Sequence, residues 1–294
     1  MFFVLVGFFE SLIRLLLWRP SVVFTKGGYV CLPVGLAARL LRIPLVIHDS
    51  DAHPGLTNRL LAPGARAIAT GAPLHHYPYP KEKTKYVGIP ISADFRPLSA
   101  DERVLQKEHL GFDPSMPLVV ITGGGLGARR LNDAVMSVLD ELLSFTSVLL
   151  ISGAGQYTEL QPKVPSDHRF KLEAFISEGM AKILGAADIV VARAGATTIM
   201  ELAALAKPTI LVPNAYLTGG HQLKNAAAFA EDEAALVVGE HSIENDPHEL
   251  VHAIRQILED ETLRQKMSQS FLTYAKPQAA RDVAQLLIGA TKKA

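Results

Sequence analysis

One cysteine, Cys31, stands in 294 residues. That excludes an internal disulfide framework and a cysteine-rich zinc site, and it suits a reducing compartment. Cys31 itself reads as a small, inert apolar residue. Neither sign of charge is in excess, with Lys+Arg and Asp+Glu at 29 each, so the chain is not patterned as a nucleic-acid binder. The ten histidines are scattered and form no H-E-x-x-H zinc motif. Internal repeats and low-complexity segments are also missing. What is there is 49% hydrophobic and 20% charged, a folded composition rather than a disordered one. The length is generous for one core and comfortable for two domains.

Short apolar runs alternate with helical patterns nearly to the end, the mark of parallel α/β sheets. A first series places strands at 21–25, 43–48, 67–70 and 85–87, with helices at 32–41 and 56–61. The segment 88–97 breaks the rhythm and reads as an interdomain linker. A second series places strands at 118–122, 147–152, 170–173, 189–192, 209–212 and 235–238. Helices fall between them at 132–143, 180–185, 198–205, 223–230 and 247–258, followed by 263–274 and, beyond Pro277, 278–288. Residues 1–18, with Glu10 and Arg14 as their only charges, form a helix in which those two share a face. This run is too short and too interrupted for a membrane span, and it lacks the basic start and cleavage site of a signal peptide. Two readings stand: a helix buried in the core, or one lying in a membrane interface with Trp18 and Arg19 at the headgroups.

The most telling stretch is Val119-Val120-Ile121-Thr122-Gly123-Gly124-Gly125-Leu126-Gly127-Ala128. A β-branched run enters four glycines and then a helix. Glycine permits φ > 0 and close backbone approach, and a helix N-terminus carries partial positive charge. Together they suit a diphosphate. The pattern is neither G-x-G-x-x-G nor a P-loop, and a plain tight turn is the alternative.

Ligands of open α/β sheets gather beyond the carboxyl ends of the strands. After 189–192 come Arg193, Gly195, Ala196, Thr197 and Thr198, with Glu201 one turn into the next helix. Either threonine can cap that helix. Glu201 can accept two hydroxyls of a ribose or simply complement the helix dipole. After 209–212, a glycine-bearing loop leads to His221 and Gln222, whose amide suits sugar hydroxyls. Phe175-Ile176 can present backbone groups to a base edge. In the first series, His48-Asp49-Ser50-Asp51-Ala52-His53 follows a strand. It suits acid–base chemistry or a divalent cation, or is a solvated turn capping the next helix. Lys26-Gly27-Gly28-Tyr29 is a second glycine turn at a strand end. His75-His76 reads as an exposed loop pair without a role.

Taken together, these motifs resemble the MurG-type N-acetylglucosaminyltransferases of glycosyltransferase family 28. The segments 26–38, 48–58, 87–91, 123–132, 193–201 and 220–226 carry the likeness, in order, over nearly the whole chain. It implies an α/β fold of GT-B type, two Rossmann-like domains with parallel sheets, the N-terminal one incomplete. Residues 1–92 would be the acceptor and membrane-side domain and 93–276 the UDP-sugar domain, with helix 277–294 returning to the first. The implied reaction is inverting transfer of N-acetylglucosamine from UDP-N-acetylglucosamine to undecaprenyl-linked muramoyl-pentapeptide in peptidoglycan synthesis. Its place would be peripheral, on the cytoplasmic face of the cell membrane. No cofactor is firmly implied, and a divalent cation is left open.

Carried over residue by residue, Gly123, Gly124, Gly125, Leu126 and Gly127 face the diphosphate, Ile176 the uracil and Glu201 the ribose. Ala196, His221 and Gln222 face the sugar, with Arg193, Gly195 and Thr197 beside that pocket. The acceptor side takes Gly27, Gly28, Tyr29, Asp51 and Asn58, and His48 and Asp49 are the catalytic candidates. The chain departs from the family in lacking its opening glycine-rich loop. It also has His48-Asp49-Ser50-Asp51 for the usual His-Glu-Gln-Asn, Gly125-Leu126 for Ser-Gln, and Ala93 where arginine is common. The expectation is therefore a fragment, a mis-started chain, or one whose missing strands come from a second polypeptide. A partner-dependent UDP-sugar-binding subunit, a UDP-sugar epimerase and another GT-B transferase are the alternatives.

Overall fold

The computed structural model describes residues 2–125, 127–217 and 219–291. In chain order it opens with α1 (Phe2–Trp18), β1 (Val23–Thr25), α2 (Cys31–Leu40), β2 (Leu45–Asp49), α3 (Leu56–Leu61), β3 (Ala67–Thr70) and β4 (Thr84–Tyr86). There follow α4 (Ala100–His109), β5 (Leu118–Thr122), α5 (Arg129–Ser137), α6 (Leu139–Leu143), β6 (Ser147–Ile151), α7 (Ala154–Leu160) and β7 (Phe170–Glu173). Then come α8 (Met180–Ala186), β8 (Ile189–Ala192), α9 (Ala196–Ala204), β9 (Thr209–Leu211), α10 (His221–Glu231) and β10 (Leu236–Val237). The last are α11 (Glu240–Asn245), α12 (His248–Glu259), α13 (Glu261–Leu272) and α14 (Ala279–Thr291). The chain divides into two compact units, Met1–Ile91 with Lys276–Ala294, and Ser92–Ala275.

The first unit holds a four-stranded parallel sheet in the order β1-β2-β3-β4. Its α14 lies on β2 and β3, where Val283 packs with Ala69 and Val87. Lys85 and Asp282 form an ion pair across that contact at 3.6 Å. On another face α1 lies against α2, close enough that Gly7 meets the Pro33 ring. Among the described side chains of α1, Leu15 alone is buried, while Phe3, Leu5, Phe9, Ile13, Leu17 and Trp18 are exposed. The core-helix reading of 1–18 therefore does not hold. Among the described residues no helix is long and apolar enough to cross a membrane.

The second unit holds six parallel strands in the order β10-β9-β8-β5-β6-β7. Strands β5, β6 and β8 are buried on both faces, which is why they read as continuous apolar runs. The chain leaves β5 toward β7 and returns to β8 on the other side of β5. The order of connection thus reverses between β5 and β8, and a crevice opens there beyond the carboxyl ends. The core beneath joins Val119, Ile121, Leu131, Val135 and Leu142 to Leu250 and Ile254 of α12.

Candidate functional site

Three adjacent strands of the second unit, β5, β8 and β9, each lead into a helix whose first turn lacks a side-chain cap. The cap positions are Ala128 for α5, Gly195 for α9 and Gly220 for α10. Thr197 and Thr198 lie inside α9 and do not cap it, contrary to the sequence reading. The first-turn backbone N–H groups of these three helices thus have no N-cap side chain as acceptor. After β5, Gly124 and Gly127 adopt φ of +76° and +74°, and Gly124 N–H donates to Thr122 Oγ1 at 3.1 Å. A Cβ on Gly127 would stand 2.5 Å from Ser152 O, whereas at Gly124 or Gly125 it would meet nothing. Gly123 and Gly127 thus let the loop fold tightly, and Gly124 and Gly125 face open space. Leu126 lies outside the described residues.

A cavity of about 340 Å³ is lined by Thr122, Gly124, Gly125, Ile176, Thr198 and Glu201, with Phe95, Phe175 and Met180 among its apolar walls. Four expected site residues therefore share one cavity: Gly124, Gly125, Ile176 and Glu201. Gly123, Gly127, Arg193, Gly195, Ala196, Thr197, His221 and Gln222 are not on its lining. Burial raises the Glu201 carboxyl to about 7.

Residues near the cavity serve the framework. Arg193 is buried, donating to Val212 O at 3.1 Å and forming an ion pair with Glu240 of α11. Glu240 Oε2 also accepts Ala215 N–H at 3.1 Å, and Gln222 Oε1 accepts Asn214 N–H at 2.8 Å. Asn225 reaches Ala194 O at 3.2 Å, tying α10 to the turn after β8. Sequence reasoning missed Glu240, because its partner is 47 positions away.

In the first unit, His48 Nε2 lies 2.8 Å from Gly88 O. A carbonyl only accepts, so Nε2 carries the proton and Nδ1 receives the Ser50 hydroxyl at 3.1 Å. Burial pushes the His48 pKa down and keeps the ring neutral. Asp49 is buried and raised to about 6 by that burial, although Tyr79 OH donates to its Oδ2 at 2.7 Å. Asn58 donates to His48 O at 3.1 Å and packs under Gly27. The structure thus gathers His48, Asp49, Asn58 and Gly27. Asp51 lies one layer out, its carbonyl accepting from Tyr77 OH at 2.6 Å. Gly28 has open space around its Cα, and Tyr29 is exposed on the cleft between α1 and α2. Tyr79 was missed because it approaches Asp49 from 30 positions downstream. Among the described residues no three histidine, cysteine or acidic side chains converge to hold a metal ion.

Residues 118–287 match the glycosyltransferase family 28 C-terminal domain and residues 3–70 its N-terminal domain. A UDP-N-acetylglucosamine–N-acetylmuramyl-(pentapeptide) pyrophosphoryl-undecaprenol N-acetylglucosamine transferase of Lachnoclostridium phytofermentans is 35% identical over 88% of this chain and 71% of its own. Curated relatives of that name are covered over 63% to 75% of their length. The crystal structure of Acinetobacter baumannii MurG superposes with a TM-score of 0.78 at 26% identity, over 98% of this chain and 79% of its own. A Neisseria meningitidis UDP-GlcNAc 2-epimerase, solved with UDP-GlcNAc, gives 0.71 at 13% identity over 97% and 81%, a likeness of fold alone. These findings support the α/β, GT-B reading with two Rossmann-like parallel sheets.

Proposed function

The chain belongs to glycosyltransferase family 28, and from that membership we propose that it moves N-acetylglucosamine from UDP-N-acetylglucosamine to a lipid-linked N-acetylmuramoyl-pentapeptide. The observation that carries this reading is the cavity that brings Gly124 and Gly125 of the glycine loop together with Ile176 and Glu201. A sugar nucleotide has a diphosphate for the amides, a ribose diol for Glu201 and a flat base for the strip at Phe175-Ile176. Ala196, His221 and Gln222, at the starts of α9 and α10, are assigned to the sugar. Arg193 holds the loop before α10.

In the reaction, an acceptor hydroxyl oxygen bonds to the anomeric carbon from the face opposite the diphosphate. The bond from that carbon to the phosphate oxygen breaks, and UDP leaves. Negative charge grows on the departing phosphate, where fixed amide dipoles stabilise it best. The first unit supplies the acceptor side, with Gly27, Gly28, Tyr29, Asp51 and Asn58 shaping it. The hydroxyl proton goes to His48, while Asp49, the other catalytic candidate, is held by Tyr79. Because His48 is buried, the proton reaches Nδ1 through Ser50.

The deciding measurement is transfer of labelled N-acetylglucosamine to a lipid-linked muramoyl acceptor. UDP release is expected only when acceptor is present. Release of UDP from the donor alone, with a changed sugar, would indicate an epimerase. His48→Asn and Ser50→Ala are expected to lower kcat at least tenfold while leaving the Kd for UDP unchanged.

The acceptor is lipid-linked, so the enzyme works peripherally at a membrane surface, on its cytoplasmic face. The exposed apolar face of α1 suits that place. Net charge is zero, so apolar insertion must dominate over attraction to anionic lipid. Each buried Phe or Leu side chain is worth about 1.5–3 kcal/mol. The double substitution Phe9→Glu and Leu17→Glu is therefore expected to cut co-sedimentation with phospholipid vesicles more than tenfold. Equal pelleting would remove α1 from the membrane contact.

A further inference from the structure

The second unit carries a cavity of about 720 Å³ that the transfer reaction does not use. It lies where β5, β8 and β9 begin, the end of the sheet away from the glycine loop. Four cations line it, Arg103, Lys107, Lys207 and Arg264, against two carboxylates, Asp188 and Glu261. Both lysines are more than nine-tenths buried. A buried cation is costly unless an anion or a full set of acceptors faces it.

The carboxylates are already engaged. Asp188 Oδ2 accepts Lys107 Nζ at 2.7 Å and Leu118 N–H at 2.8 Å. Glu261 is exposed and takes Gln265 Nε2 at 3.0 Å. Lys107 is satisfied, with Met116 O at 2.9 Å and Pro114 O at 3.5 Å completing its set. Lys207 is not. Among the described residues its ammonium donates only to Ala187 O, at 2.7 Å, which leaves two of its three N–H groups uncommitted. Among the described residues Arg103 Nε is buried with no hydrogen-bond partner, and Arg264 spends Nη1 alone, on Leu258 O at 2.8 Å and Ile257 O at 3.5 Å. Cationic donors thus converge on one space in excess of the acceptors present.

We propose that this cavity binds a phosphate-bearing anion, its phosphoryl oxygens taking the free N–H groups of Lys207, Arg103 and Arg264. Guanidinium and ammonium groups together are the side chains that match a phosphoryl group. Asp188 fills that role at Lys107, and among the described residues no carboxylate bonds Lys207. In support, burial, with Arg103 and Lys107 beside it, pushes Lys207 down to about 7 against the pull of Asp188. A bound anion would reverse that push. The site is independent of the donor pocket and of the reaction assigned to it.

Thermal unfolding of the whole chain tests this, with orthophosphate, pyrophosphate or AMP titrated against sodium chloride at matched ionic strength. UDP is left out, because its own diphosphate would compete for the cavity, and any binding at the glycine loop is common to wild type and variants and cancels in their difference. All three phosphate carriers are expected to raise the midpoint by a few degrees at tenfold excess over Kd. Lys207→Met, which replaces a buried ammonium by an apolar chain of like length, is expected to keep or raise the midpoint in chloride and to lose the phosphate increment. Arg103→Gln, at a half-buried position, is expected to lose most of it and covers the case in which Lys207→Met does not fold. The proposal is overturned by an increment equal in wild type and Lys207→Met, by no increment beyond chloride, or by a response to AMP alone. Because the variants report on this cavity only, failure of UDP to bind elsewhere does not alter the outcome.

Discussion

Replacing Glu240 with alanine should destabilise the second unit by about 3–5 kcal/mol, the cost of stripping one partner from a buried ion pair. Glu240 is almost fully enclosed, and its two oxygens serve the Arg193 guanidinium and Ala215 N–H. Without it Arg193 keeps one neutral acceptor, Val212 O. The loop between β9 and α10 loses its tie at Ala215, although Tyr216 still reaches Glu244 at 3.2 Å and Arg130 stacks on its ring. Stability and ligand binding can be separated. The double variant Arg193→Met with Glu240→Leu removes both charges, and apolar replacements of buried pairs are often neutral. Its unfolding free energy in urea should return close to wild type. The amide tie to Ala215 does not return, so its Kd for UDP-N-acetylglucosamine should stay raised while that for UDP alone moves less. Full recovery of sugar-nucleotide binding in the double variant would show that the pair only fills space.

How far the sequence discloses this architecture depends on whether a segment's signal is local. Strands β3, β5, β7 and β8 and helix α3 fall on the expected residues; for β5 and β8 the reason is that strands buried on both faces leave an uninterrupted apolar run between turn residues. The helix expected over 132–143 instead begins at Arg129 and breaks at Val138, whose φ of −114° and ψ of 13° end α5 and start α6. Periodicity alone cannot mark such a break, since both pieces keep their apolar face to the same core. Helices α4, α7 and α11 were missed. The first of these had a readable signal in its Ser99–Glu102 capping box, hidden by a largely polar face. The glycine loop and Glu201 were legible as strand-end features that meet at one cavity. The partners that hold the framework, Glu240 for Arg193 and Tyr79 for Asp49, were not, because only the folded chain brings them together.

Glu201→Gln should weaken UDP binding by roughly 10- to 150-fold, the equivalent of about 1.5–3 kcal/mol for hydrogen bonds to a charged acceptor. The same change should stabilise the unliganded chain at neutral pH, and that opposition is what identifies a ligand-binding carboxylate. Burial holds the Glu201 pKa at about 7, against an ordinary value of 4.5. The folded chain therefore keeps a proton that the unfolded chain has already lost. The stability this contributes is complete below 4.5 and is lost as pH climbs to about 7. Glutamine does not titrate, so the variant should gain on wild type across that window and hold the gain above it. Binding runs the other way. Ribose hydroxyls donate to the carboxylate, so affinity for UDP in the wild type should rise about tenfold per pH unit up to 7 and then level off. In the variant this contribution to the profile is absent. Calorimetric titration with UDP from pH 5.5 to 8.5, paired with urea unfolding at the same pH values, measures both. A wild-type profile matching that of Glu201→Gln would mean that the carboxyl titrates unseen by the nucleotide, and the ribose would have to be placed elsewhere.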